Sequence, residues 1–274
     1  MRAKGIDISH WQGTFEHQGN LNFIILKATE GEIWIDDAFE IFLKEAQRVP
    51  IRGAYHYFRT QYDGIVQANH FWETVQGKGF HFLAVDYEAK NNKLDKDGEA
   101  ELYDLWVELE SLTDLPILLY TSPYVYRDNL CAWDTFWLNV PLWMAHYNYE
   151  DPQEGSPLLF DAPGWKLWQY TNEYNGKYYG VGTEHVDQNV YNGSVKQLHE
   201  WLGPQGEQPM NSKWYTSKTF WFSVVFGLVQ IAGIFGYGDF VPSPEVVQYV
   251  GIGLSVIGAL VGVIVKYIEG KAQP

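Results

Sequence analysis

The stretch FLAVDYEAK, Phe82–Lys90, decides how the chain is read. Phe82, Leu83, Ala84 and Val85 form a short apolar run of the kind a buried strand uses. The run closes on Asp86-Tyr87-Glu88. Side chains two apart on a strand share a face, about 6.6 Å apart at a rise of about 3.3 Å per residue. Read as one strand over 82–88, the stretch presents two carboxylates side by side at a C-terminal end. Like charge so close pushes their pKa values apart. An acid/base pair for glycoside cleavage needs that separation.

Outward from this strand, residues 1–203 alternate short apolar runs with helical spacing, as parallel α/β folds do. Strands are expected at 5–8, 23–28, 51–58, 116–120, 142–145, 166–170 and 186–190, and helices over 38–46, 65–75, 98–112 and 198–201. Eight strands with helices between the early ones imply a closed β/α barrel with a degenerate second half. The active site of such a barrel lies at the C-terminal ends of its strands. Asp7, Glu30, Asp86, Glu88 and Asp187 all fall at or near such ends.

Charge excludes some partners. The net charge is −15 over 274 residues. Residues 1–203 carry 15 Lys and Arg against 30 Asp and Glu, whereas 204–274 carry 4 of each. The acidic part is therefore unsuited to nucleic acid and feels no electrostatic pull toward an anionic wall polymer or lipid surface. The single Cys131 allows no intramolecular disulfide. The first residues, MRAKGIDISHWQG, lack an apolar h-region, so no secretory signal is expected. His10, His56, His146 and His185 show no ligand spacing such as H-E-x-x-H, and neither a metal nor a cofactor is expected.

Eight segments in order, GIDISHWQG (5–13), ILKATEG (25–31), RGAYHYF (52–58), AVDYE (84–88), ILLYTS (117–122), LWMAHY (142–147), LWQYT (167–171) and VDQNVYNG (186–193), resemble glycoside hydrolase family 25. The resemblance covers about residues 4–202. It implies a (β/α)5β3 barrel in a retaining muramidase that cleaves the β-1,4 bond between N-acetylmuramic acid and N-acetylglucosamine in peptidoglycan. Carried over by residue, it makes Glu88 the general acid/base. Asp86 becomes the carboxylate that assists the substrate N-acetyl group or stabilises the charged intermediate, and Asp7 and Asp187 two further acids of the site. Tyr55, Tyr120 and Gln169 fall at site-lining positions. Trp143 joins Trp11, Tyr55, Tyr57, Tyr120 and Trp168 as a candidate to stack on sugar faces. Glu30 is read either as a substrate contact or as a rim residue.

Beyond a linker at 204–213 the composition changes. Residues 219–236 and 246–265 are uncharged runs of 18 and 20 residues, long enough to cross a hydrocarbon core of about 30 Å. They are read as a transmembrane hairpin within 214–274, similar to small phage holins, with a pair of buried core helices as the alternative. Lys213, Lys218, Lys266 and Lys271 flank the runs, which places both ends, and the barrel, on the cytoplasmic side of the inner membrane. Gly258-x-x-x-Gly262 would suit helix packing and a homo-oligomer. The expectation is thus a phage lysis protein, a muramidase tethered to the lipid bilayer. A non-catalytic wall-binding module on a membrane-permeabilising anchor is the alternative from another class.

Overall fold

A computed structural model describes residues 1–88, 96–130, 135–148, 151–160, 162 and 164–203. It is a mixed α/β fold built on a barrel-like sheet. The strands are β1 (Lys4–Ile8), β2 (Phe23–Glu30), β3 (Trp34–Ile35), β4 (Ile51–Tyr57), β5 (Phe82–Asp86), β6 (Ile117–Thr121), β7 (Leu142–Ala145), β8 (Leu167–Asn175) and β9 (His185–Tyr191). The helices are α1 (Phe39–Ala46), α2 (Gly64–Val75), α3 (Lys96–Leu112), α4 (Pro123–Val125) and α5 (Val195–Leu202). Strands β1, β2, β4, β5, β6, β7 and β8 pair in parallel in that order. β9 lies antiparallel between β8 and β1 and closes the ring of eight. The two-residue β3 hangs on the outside edge of β2.

The apolar runs seen in the sequence are strands covered on both faces, which is why they alternate so little. β5 and β6 are buried at every position. Outward-facing side chains of β2 lie beneath α1 and α2, whose buried faces are Phe39, Phe42, Leu43 and Ala46, and Ala68, Phe71, Trp72 and Val75. The Asp63 side chain caps α2 by accepting the Val66 N–H at 2.9 Å, which satisfies one of the orphan donors of the first turn.

Inside the barrel, Phe23, Ile25, Ile51, Phe82, Ala84, Leu118, Trp143, Leu167 and Tyr191 form one packed cluster. Two glycines make room for its rings. A Cβ on Gly5 would stand 2.3 Å from the Phe23 ring, and one on Gly53 2.4 Å from the Phe82 ring. α5 plugs the floor. Its Leu198 and Leu202 join the cluster, and Trp201 stacks on Tyr191 at 5.8 Å. A floor filled by side chains leaves the strands' C-terminal ends as the open mouth.

The first connection, β1 to β2, holds a 3-10 turn at His10–Gln12. Two expectations need correction. The strand expected over 82–88 stops at Asp86, so Glu88 stands beyond the sheet. The β8–β9 hairpin is longer than its apolar residues suggest, because polar residues 171–175 continue the ladder with shifts of register. No helix among the described residues is long and apolar enough to cross a membrane. The expected hairpin at 219–236 and 246–265 lies outside the described residues.

Candidate active site

β1 and β9 bring two acids face to face, since Asp7 and Asp187 are cross-strand partners. This happens only because β9 runs backwards and so delivers the start of its strand to the mouth. Asp7 is buried and held from two sides. Gln169 Nε2 donates to Asp7 Oδ1 at 3.0 Å, and Asn189 Nδ2 donates to the same oxygen at 2.6 Å. Behind these donors stands a second layer. The hydroxyls of Tyr120 and Tyr147 donate to Gln169 Oε1 at 3.0 and 2.8 Å. Trp143 Nε1 donates to Asn189 Oδ1 at 2.7 Å. Each amide is thereby fixed in orientation, its oxygen taken by a donor and its N–H aimed at the carboxylate.

Burial pushes the Asp7 carboxyl up to about 6; the Asn189 and Gln169 hydrogen bonds oppose the rise and the charge of Glu88 adds to it. Burial also pushes Asp187 up, to about 8, helped by the charges of Asp7 and Glu88. Both carboxyls of this facing pair therefore hold a proton to higher pH than an ordinary Asp, and they titrate as a pair.

Asp86 ends β5, between Tyr57 of β4 and Tyr120 of β6. It is buried, and its Oδ1 has no hydrogen-bond partner. Burial drives its carboxyl well above the ordinary range. Glu88 adds to the rise, and Lys27 is a cation that opposes it. Glu88 itself is exposed, two residues past the strand. Its charge acts on Asp7, Asp86, Asp187, Tyr120 and Tyr147, which fixes its place over the mouth. An exposed carboxyl above a cluster of buried ones can exchange a proton with solvent and with a bound oxygen atom. The buried ones can hold or accept hydrogen bonds.

Glu30 belongs to the rim. Lys27 Nζ donates to its Oε2 at 2.6 Å, and Arg59 Nε donates to Oε1 at 2.9 Å with a second bond from Nη2. Burial works against its charge, but the two cations outweigh it and hold the carboxyl below its ordinary value. Lys27 also lies 4.9 Å from the Trp34 ring centre and 5.0 Å from that of Tyr57, and Arg59 stacks on Tyr57 at 4.8 Å. With both oxygens taken, Glu30 orders the rim and offers a substrate little.

The structure brings Asp7, Asp86, Asp187, Glu88, Tyr55, Tyr120 and Gln169 to one mouth. Trp143 departs from the expected sugar contact: it is 1% exposed, packed edge-on to Tyr120 at 4.6 Å. It supports the site from below. His56 is a structural residue, buried between Thr29 Oγ1 and Gln67 Oε1 at 2.8 and 3.2 Å. Sequence reasoning missed Asn189 and Tyr147. Asn189 carried a usable signal, since it lies two residues beyond Asp187 on the same face of a strand. Tyr147 lies past the end of β7, and its only signal was its place at the end of the segment LWMAHY (142–147).

Several carboxyls around one barrel mouth, three of them pushed up by burial, are the equipment of an enzyme that cleaves acetals by acid/base chemistry. The sequence profile of glycosyl hydrolases family 25 matches residues 6–179. The chain belongs to that family and is a glycoside hydrolase. It is 30% identical over 216 residues to the uncharacterized protein YegX of Escherichia coli (strain K12), a match covering 75% of each chain. It is 29% identical over 217 residues to Lysozyme M1 of Streptomyces globisporus, covering 72% of this chain and 70% of that one. The bacterial lysozyme from Streptomyces coelicolor aligns with a TM-score of 0.61 at 26% identity, over 72% of this chain and 95% of that one. A family 25 glycosyl hydrolase from Bacillus anthracis aligns at 0.60 and 25% identity, over 72% and 91%.

Proposed function

We propose that the chain is a muramidase that hydrolyses the β-1,4 bond between N-acetylmuramic acid and N-acetylglucosamine in peptidoglycan. The observation that carries this is the gathering of Asp7, Asp86, Glu88 and Asp187 at one barrel mouth in a family 25 chain. The names of relatives such as Lysozyme M1 point the same way. Glu88, the acid open to solvent, protonates the leaving oxygen and then activates water, with retention at the anomeric carbon. Asp86 accepts a hydrogen bond from the N-acetamido N–H on its unpartnered Oδ1 and so aligns the carbonyl oxygen behind the anomeric carbon. Asp7 and Asp187 face the developing positive charge and stabilise it electrostatically.

The test is turbidity loss of purified peptidoglycan by the full-length protein beside Glu88→Gln, with reducing ends assayed. Glu88→Gln should cut the rate by about 10²-fold or more, the scale of general acid catalysis. Equal clearing by both proteins would end the assignment of Glu88.

Membrane tethering is part of the same proposal, with the enzyme on the cytoplasmic side until lysis. It rests on the uncharged sequences 219–236 and 246–265 and on the flanking lysines. Protease added outside intact cells should leave the barrel uncut. Digestion from outside would reverse the topology.

A further inference from the structure

The turn after β1 carries an aromatic group that the chemistry above leaves unused. Trp11 is 75% exposed, and Ile33 and Ile35, on either side of Trp34, are exposed as well. The backbone beneath Trp11 is nonetheless tightly held. Gln12 N–H donates to the Ser9 carbonyl and Gly13 N–H to the His10 carbonyl, both at 3.0 Å. Ser9 N–H donates to Gln12 Oε1 at 2.8 Å. His10 N–H donates to Asp36 Oδ1 at 3.0 Å, and His10 Nδ1 lies 2.7 Å from Asp36 Oδ2. Asp36 is buried and also receives the Ala38 N–H at 3.0 Å.

Ring contacts run on from there toward the acids. Trp11 lies 4.5 Å from the His10 ring, which meets the edge of Trp34 at 5.4 Å. Lys27 bridges Trp34 to Tyr57, the cross-strand partner of Asp86. One continuous ledge therefore joins an exposed indole to the catalytic mouth. Trp11 is four residues past Asp7, so their backbones are at most about 14 Å apart. That distance places the indole within a few sugar units of the acids.

Exposure together with rigidity is the informative combination. A single exposed apolar side chain is ordinary. One whose turn is fastened to a buried carboxylate has already lost the freedom that binding would otherwise cost. Its open, electron-rich face suits the axial C–H groups of a pyranose and needs no charge from the ligand. Of the other aromatics that sequence offered for stacking, Tyr120, Trp143 and Trp168 are buried and Tyr55 and Tyr57 are half-buried.

We propose that Trp11 is a stacking platform for a sugar of the glycan strand beyond the pair flanking the cleaved bond, so that the site prefers long strands to short fragments. This rests on the muramidase reading for the identity of the strand. The experiment uses the full-length protein in detergent and peptidoglycan glycan chains of four and eight sugars. Trp11→Ala should lower kcat/KM on the octasaccharide about tenfold more than on the tetrasaccharide, the scale of a lost ring contact. Trp11→Phe should restore most of the difference. Octasaccharide binding by calorimetry, in Glu88→Gln with and without Trp11→Ala, reads the platform apart from turnover. Trp11-dependent binding without turnover by the native chain would keep the platform and remove the muramidase reading. Equal losses on both lengths, or binding indifferent to Trp11, would overturn the platform while leaving a muramidase that turns over both.

Discussion

Asp86 is the residue at which binding and protonation meet. Burial holds its carboxyl well above the ordinary range, and its Oδ1 has no partner within the protein. A substrate N–H donating to that oxygen favours the charged form and draws the pKa down. The acid limb of kcat, which reports the complex, should therefore lie at lower pH than that of kcat/KM, which reports the free enzyme. Asp86→Asn should abolish the offset. An acid limb of kcat at equal or higher pH would take Asp86 out of contact with the substrate. Asp187 makes a second prediction, on stability. Its folded pKa of about 8 lies above the 3.8 of an unperturbed Asp, so the native state binds the proton more tightly than the unfolded chain. Its contribution is fully present below pH 3.8 and is lost as pH rises through about 8. Asp187→Asn removes that loss, so its melting temperature should exceed that of the native protein by more at pH 9 than at pH 5, measured by calorimetry. At this scale the sequence was legible where chemistry demands a charge. The acids were found because no core explains them. Asn189 and Tyr147 were passed over because an amide or phenol on a strand or loop has ordinary explanations, and only the fold shows them aimed at Asp7 and Gln169.

Among the elements, the strands were easiest to read, because a strand buried on both faces leaves an apolar run with few competitors. The first connection, fourteen residues, holds a 3-10 turn and loop, and no helical spacing marks it in the sequence. β3 went unseen because two residues carry no period. The packing of β4 on β5 gives the third prediction. A methyl on Gly53 would overlap the Phe82 ring, which α5 supports from beneath through Trp201 at 6.3 Å. Gly53→Ala should cost about 1–3 kcal/mol by overpacking, read from urea unfolding. Adding Phe82→Leu, which vacates the space, should recover part of the loss. Simple addition of the two losses would show that the methyl is accommodated elsewhere.

For the whole molecule, charge is the property that sequence displays best and structure only locates. An excess of 15 acids in residues 1–203 faces a wall that is itself anionic under the proposed function. Repulsion reaches about 30 Å at 0.01 M salt and about 8 Å at 0.15 M. Activity on peptidoglycan should accordingly rise between these ionic strengths, the reverse of what a cationic enzyme would show. A fall in kcat/KM over that range would mean that local cations such as Lys27 and Arg59 govern the encounter.

The backward-running β9 has a consequence in time. Asp7 and the amide of Asn189 that clasps it are 182 positions apart. At about 5–20 residues per second, roughly 10 to 35 s of synthesis separate the two. Throughout that interval a nascent chain can carry Asp7, Asp86 and Glu88 and still lack the strand that closes the ring and orders the first of them. The strand that completes the mouth is the last one among the described residues. A chain that ends before residue 189 lacks the amide that clasps Asp7 and the rest of the strand that closes the ring.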